Sequence, residues 1–125
     1  MNWYKGYSPQ QRYASLETIH KAIADGVIKD AYDCKCEICG QDKGVREWHA
    51  DDYAPETLLQ NIRVLCWKCH RNLHIYEIGP KHEKYEWAKR YFEKVREGVQ
   101  YTPTYTRFYT KEMEDAGERP SYKQN

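Results

Sequence analysis

The stretch 61–74, NIRVLCWKCHRNLH, decides the fold because it joins a CxxC pair to two histidines four residues apart. A second CxxC pair lies upstream, within residues 36–40, CEICG, where Gly40 suits the tight turn after the second cysteine. Two thiolate pairs brought together from distant parts of a chain supply the four corners of a tetrahedral zinc site. The sequence therefore predicts a structural zinc ion with four ligands: Cys36, Cys39, Cys66 and Cys69.

The residues around the second pair predict a strand pair followed by a helix. Residues 45–49, VREWH, alternate as a short strand, and residues 51–55, DDYAP, are a loop or the returning strand of a hairpin. Residues 61–65 then lead into a helix that begins near Cys66 and runs from Trp67 to Ile78. On that helix His70 and His74 share one face, because residues four apart in a helix are neighbours. A hairpin would place His49 near its end.

Composition bounds the class of protein. At 125 residues with 40% hydrophobic content, the chain buries only a modest core, so a staple such as zinc is expected. The net charge of +1 excludes a global basic field, so a nucleic-acid surface has to come from local clustering. The sequence has no apolar run long enough for a membrane span and no signal-peptide core, which predicts a cytoplasmic protein without membrane partners. The fifth cysteine, Cys34, is interpreted as a spare thiol, with an alternative ligand as the other possibility.

Both flanks of the cysteine region have simple patterns. Ser8 and Pro9 predict the start of a helix over 9–25, and Gly79-Pro80 separates the histidine helix from a second packing helix that ends before Gly98. The fold class expected is α+β and mostly helical. Four segments are expected: an N-terminal packing region (1–33), a zinc-bound ββα module (34–78), a packing helix (79–98) and an extended aromatic arm with its tail (99–125). Within the last segment, residues 117–125 are expected to be disordered.

Residues 61–70 resemble the closing half of the HNH endonuclease motif. Together with the first cysteine pair and His49, the resemblance to that family covers about residues 34–78. In that family an asparagine precedes the last cysteine pair and a histidine directly follows it, as Asn61 and His70 do here. The resemblance implies a ββα-metal fold and metal-dependent cleavage of DNA phosphodiester bonds. It also implies that His49 is the general base and that Asn61 orients it. His70 and His74 would be ligands of a catalytic divalent ion such as Mg, Mn, Ni or Zn.

One position departs from the family pattern. The residue before the base is commonly Asp or His in the family, often a metal ligand, and here it is Trp48, which offers no lone pair to a metal. Asp51 or Asp52 in the following loop would have to replace that ligand. Both are otherwise ordinary turn residues.

Cationic residues near the second cysteine pair predict a local phosphate-binding rim, with a solvated charged face as the alternative. Trp67 and Tyr76 are expected to pack between helices rather than stack on bases. The rim residues are Arg46, Arg63, Lys68 and Arg71, with Lys43 nearby.

Two functions are therefore open. The first is a small HNH-type endonuclease acting on nucleic acid, DNA in the first instance, in the host cytoplasm if it is phage-encoded. The second is a catalytically inactive zinc-bound module that binds nucleic acid or a protein. The arm 99–110 favours the second, since an extended Thr/Tyr segment can lie along a partner or a second subunit, although it also fits packing on its own chain.

Overall fold

Residues 2–120 are described by a computed structural model, in which the first helix is α1 (Pro9–Ala24). Ser8 caps it: its hydroxyl accepts a hydrogen bond from the Gln11 amide, and the Gln11 side chain accepts one from the Ser8 amide. This reciprocal capping box and Pro9 in the first turn fix the start of the helix. The predicted helix over 9–25 is confirmed to within one residue.

The sheet consists of two antiparallel strands, β1 (Arg46–Ala50) and β2 (Ile62–Cys66). His49 pairs with Arg63, and Glu47 pairs with Leu65. The returning strand is therefore residues 62–66, and residues 51–55 form part of the loop between the strands. The stretch DDYAP contains a proline and two turn-forming aspartates, which favour a loop over a ladder.

Helix α2 (Trp67–Ile78) follows β2 without a connecting loop, as the sequence predicted. Cys66 is its N-cap, and its Sγ accepts a hydrogen bond from the Cys69 amide at 3.4 Å. The helix ends at Gly79, whose positive φ of 96° suits glycine. One cysteine thus ends the sheet, begins the helix and belongs to the cysteine cluster.

Two further helices follow, α3 (Tyr85–Arg96) and α4 (Lys111–Asp115). Helix α3 packs on α2 and begins five residues later than Pro80, after a run of turns. Its buried residues are Ala88 and Tyr91. Helix α4 corrects the expectation of a wholly extended segment after residue 99. Thr110 caps it through the Met113 amide. Of the predicted disordered tail, residues 121–125 lie outside the described residues.

The aromatic arm packs against its own chain. Gln41 donates to the Tyr101 carbonyl at 2.9 Å, and the Val45 amide donates to the Thr104 carbonyl at 2.8 Å. Tyr109 is 1% exposed and lies against Tyr32, with ring centroids 4.4 Å apart. The arm is therefore held by intramolecular contacts, and a partner or dimer through 99–110 stays a prediction.

Three hydrophobic clusters surround the sheet. One joins the cysteines to Leu65 and Tyr91, a second joins α1 to Ala50 and Leu58, and the third joins Tyr32 and Val45 to Tyr109. Within residues 2–120, four α-helices and two strands make up the α+β fold, and no helix has the length and apolar character that crossing a membrane requires.

Candidate metal centre

The four cysteines predicted as zinc ligands converge on one point. Their Sγ atoms all lie within 4.8 Å of one another, and the Cys39 and Cys66 sulfurs are 3.6 Å apart. In a tetrahedral zinc site with Zn–S bonds of about 2.3 Å, neighbouring sulfurs are about 3.8 Å apart. All of these cysteines are free thiols. The cluster could therefore hold a metal ion such as zinc.

Hydrogen bonds fix the two cysteine turns. The Gly40 amide donates to the Cys36 carbonyl at 2.9 Å, and Gly40 has a φ of 79°. Two hydrogen bonds join Glu37 of this first turn to Val64 of β2. The Glu37 amide donates to the Val64 carbonyl, and the Glu37 carboxylate accepts from the Val64 amide. Hydrogen bonds among the four sulfurs lower the pKa of Cys36 and raise those of Cys39 and Cys69. The four groups therefore titrate as one unit, and the thiolate is the form that a metal binds.

Cys34 lies apart from this cluster. Its thiol donates to the Asp30 carbonyl at 3.6 Å, and burial raises its pKa. It is not among the cysteines that share a metal-sized space. The interpretation of Cys34 as a spare thiol fits this placement better than the alternative of a ligand.

A second cluster contains His49 from β1 and His70 and His74 from α2. One nitrogen from each ring lies within 4.8 Å of one nitrogen from each of the others. The ring centroids are 5.0 Å apart for His49 and His70, 5.2 Å for His49 and His74, and 4.7 Å for His70 and His74. Such a set could hold a metal ion, and the strand pair and the helix position all three rings.

His49 is the most constrained of the three. It is 2% exposed, and its Nε2 has no hydrogen-bond partner within residues 2–120. That nitrogen lies 3.2 Å from Asp51 Oδ1, outside hydrogen-bond geometry. Burial and the neighbouring His70 lower the pKa of His49 to about 4, and burial with His70 does the same for His74. Both rings are therefore neutral at pH 7, with a lone pair available to a metal or a proton.

Glu47 orients His70. The two residues are joined by a 3.1 Å hydrogen bond in which His70 Nδ1 donates to the Glu47 carboxylate, and this bond lowers the pKa of Glu47. With Nδ1 donating to Glu47, the nitrogen of His70 that is left to face a metal is Nε2. A carboxylate behind an imidazole is a common arrangement for metal-binding histidines.

The loop after β1 brings one of its two aspartates to the cluster. Asp51 also belongs, with His49 and Glu77, to a set of groups that could share an ion, and Arg63 contacts both of its carboxylate oxygens at 3.1 Å. Asp52 instead accepts hydrogen bonds from the Tyr7 hydroxyl and the Ala54 amide. Of the two candidate replacement ligands, only Asp51 lies near the histidines.

Asn61 acts on the same loop. Its side-chain amide donates to the carbonyl and the hydroxyl of Thr57 at 3.1 and 3.0 Å, and its own carbonyl accepts a hydrogen bond from the Asp51 amide. The side chain therefore holds the loop at Thr57, while the role of orienting the base stays a prediction. The side chain does so next to Asp51 rather than by contacting the imidazole of His49.

Trp48 does not take a place in the histidine cluster. Successive residues of a strand face opposite sides, so Trp48 lies on the other face of β1 from His49. Its indole donates to the Lys29 carbonyl at 3.0 Å and packs on the cluster formed by α1, Ala50 and Leu58. The departure from the family pattern thus serves the packing of α1.

The N-terminal turn covers one side of the histidines. The Tyr4 ring meets the edge of His74 at a centroid distance of 4.9 Å, and its hydroxyl donates to Glu77. Lys5 bonds the Asp51 carbonyl at 3.0 Å, and the guanidinium of Arg12 lies 5.1 Å from the Tyr4 ring centroid. Lys5 and Arg12 together place positive charge beside the imidazoles.

The predicted phosphate-binding rim is only partly exposed. Arg46 is 4% exposed: its guanidinium donates to the carbonyls of Cys34 and Tyr32 and lies 3.9 Å from Glu114, so it is a buried structural group. Arg63 is engaged with Asp51. On α2, Arg71 is exposed, and Lys68 is half-buried and bonded to the Thr102 carbonyl.

Sequence reasoning missed several residues at the cluster. Glu77 lies three residues after His74 and so on the same face of α2, and Glu47 lies two residues before His49 on the same face of β1. Both could have been found from periodicity. Tyr4, Lys5 and Arg12 carry no such signal, since they meet the cluster only through the tertiary fold.

Comparison of the chain with known protein families, curated proteins and solved structures finds no match. The function is therefore inferred from the geometry of the two clusters.

Proposed function

We propose that this chain is a small HNH-type, metal-dependent endonuclease that hydrolyses phosphodiester bonds of DNA. The observation that carries the proposal is the convergence of His49, His70 and His74 within 4.8 Å on a strand pair and its following helix. The residue types, their order along the chain and the cysteine cluster at the start of the helix agree with the family resemblance. In this proposal the cysteines hold structural zinc and make the unit a zinc-stapled ββα core.

His49 is the general base of the proposed reaction. Its Nε2 accepts a proton from the attacking water, and the nearby Asp51 carboxylate stabilises the imidazolium that forms. The lowered pKa keeps the ring in its neutral, proton-accepting form at pH 7. Asn61 and Arg63 position Asp51 through its amide and its carboxylate.

His70 and His74 would hold the catalytic divalent ion, and Glu47 fixes the tautomer of His70 for that purpose. Such an ion, when bound, supplies Lewis-acid stabilisation of the charge that develops on the phosphate oxygens. Lys5 and Arg12 add fixed positive charge on the same side, which favours a phosphate over a neutral substrate.

A plasmid-nicking assay tests the proposal. Zinc-loaded protein is incubated with supercoiled DNA and Mg, Mn or Ni, and the wild type is compared with His49→Gln. We expect cleavage that needs the added ion and falls by about 100-fold or more in the variant. The matched control is His82→Gln, a histidine outside the cluster, which should cleave like the wild type. Equal cleavage by wild type and His49→Gln, at equal zinc content, would remove His49 from the mechanism.

The second candidate is a catalytically inactive module that binds nucleic acid or a protein. One observation favours it: Tyr4 lies against His49 and His74 and bonds Glu77, so the N-terminal turn already covers part of the cluster. Retention of zinc without cleavage under any added ion would select this candidate over the enzyme.

A further inference from the structure

A groove lies between α2, α3 and the start of the aromatic arm, on a different face of α2 from His70 and His74. It has a volume of about 740 Å³. At 100° per residue, Arg71 lies about 100° around the helix from His70 and about 60° from His74, so the groove faces a different direction from the histidines. The aromatic side chains that line it are Trp67, Trp87, Tyr91 and Tyr101.

Trp87 is the most informative of these. It is 80% exposed, although it belongs to the same helix as the buried Ala88 and Tyr91. An indole left in water forgoes the favourable free energy of burying its apolar surface, so a large exposed aromatic in a groove indicates a binding surface. Most of its surface is therefore open to a partner.

The other rings form a fixed support. Tyr101 stacks on Tyr91 with centroids 4.9 Å apart and an interplanar angle of 25°. The Lys68 ammonium lies 5.5 Å from the Tyr101 ring centroid, and the Arg71 guanidinium lies 5.3 Å from that of Trp67. Aromatic surface and positive charge are therefore interleaved along α2.

Charge in the groove differs from that of the whole chain. The chain has a net charge of only +1, yet this groove and the adjoining one that shares Trp87 are lined by five cationic side chains and one carboxylate, Glu83. This excess is complementary to a polyanion and unfavourable for an apolar peptide, which would have to desolvate the cations. The cations are Lys68, Arg71, Lys84, Arg90 and Lys94.

We propose that this groove binds a single-stranded segment of nucleic acid, with bases stacked on Trp87 and phosphates paired with the surrounding cations. The inference rests on the proposed function for the class of ligand, and it deepens that function by assigning the form of the substrate. A single strand fits better than a duplex, because an indole can stack only on a base that is free of its own stack.

The test is fluorescence anisotropy with a labelled oligodeoxythymidylate of about 15 nucleotides and the zinc-loaded 125-residue chain. No divalent ion is added, so that cleavage cannot deplete the probe. We expect Trp87→Ala to weaken binding by about 10-fold and Trp87→Tyr, which keeps a ring, to restore most of it. Trp3→Ala is the matched control, because Trp3 is 68% exposed and lies outside the groove. Arg90→Glu should also lower the salt dependence of binding.

Three outcomes would each overturn the groove assignment. They are equal affinity of wild type and Trp87→Ala, the absence of saturable binding, and tighter binding of an unlabelled duplex of the same length. The plasmid assay separates this result from failure of the nuclease proposal. If the protein cleaves DNA but its binding does not depend on Trp87, only the groove assignment is wrong. If binding depends on Trp87 but no added ion supports cleavage, only the nuclease proposal is wrong.

Discussion

The cysteine and histidine clusters are neighbours on α2, but they are built differently. The cysteines come in two tight turns, with backbone amides and a tyrosine hydroxyl around them, and their four thiols are the number that a tetrahedral zinc ion takes. The histidines come from a strand and a helix, with carboxylates from Glu47, Asp51 and Glu77 around them. Three imidazoles leave positions open for another ligand. The difference is the one that the proposed function requires, with structural zinc at the first cluster and chemistry at the second.

Removing a cysteine ligand should have the largest effect. We expect Cys66→Ala to lose the metal and to destabilise the fold by ~5 kcal/mol or more, because the binding free energy of a structural zinc is folding free energy. Zinc content by mass spectrometry and thermal unfolding measure the two effects. Cys34→Ala is the control and should keep both values. If Cys66→Ala binds zinc and melts like the wild type, the cysteine cluster has no structural role and the contrast between the clusters fails.

The histidines should give stability a pH dependence of intermediate size. The pKa values of His49 and His74 are about 4, below the 6.5 of an unfolded histidine, so between these values the unfolded chain binds more protons. Their contribution is therefore complete above pH 6.5 and is lost as the pH falls toward 4, by up to ~3 kcal/mol per histidine. Urea unfolding at several pH values measures this.

The comparison of interest is between the wild type and His49→Gln. Any metal that the cysteines hold would be released on acidification from both proteins, so the difference between their profiles isolates the imidazole. We expect a shallower acid loss in the variant. Parallel profiles would mean that His49 is as easily protonated in the folded chain as in the unfolded one.

The smallest effect should come from Glu47, which hydrogen-bonds to His70. We expect Glu47→Gln to weaken binding of Mn²⁺ at the histidine cluster by about 10- to 100-fold, the usual effect of losing the partner behind a metal-binding imidazole. Isothermal titration measures it, with Glu56→Gln, an exposed loop residue, as the control. An unchanged Mn²⁺ affinity would remove Glu47 from the site and leave His70 unsupported.

Much of the fold was predictable because its signals are local. The CxxC spacing, the capping of α1 and the start of α2 each depend on a few consecutive residues, and the structure has all three. The strand partner of β1 was less certain, since the choice between 51–55 and 62–66 depends on pairing across a loop.

The surroundings of the site were mostly not predictable. Arginine is usually exposed, so the sequence predicts Arg46 on the surface. Its burial depends on the carbonyls of residues 32 and 34 and on Glu114, which is 68 residues away along the chain. The covering of the histidines by Tyr4 depends on where the N-terminal turn packs. Such placements follow from tertiary contacts that leave no periodic trace in the sequence.

The aromatic arm has a consequence for the speed of metal exchange. Tyr101, Thr102, Pro103 and Thr104 lie over Cys39 and Cys66, and their hydrogen bonds to residues 41 and 45 close a loop of about 60 residues. Closing a loop costs conformational entropy, and contacts of this kind can open locally while the rest of a fold stays intact. We expect an ion held by these cysteines to exchange when the arm lifts, so the arm would set the rate of metal exchange while the cysteines set the affinity.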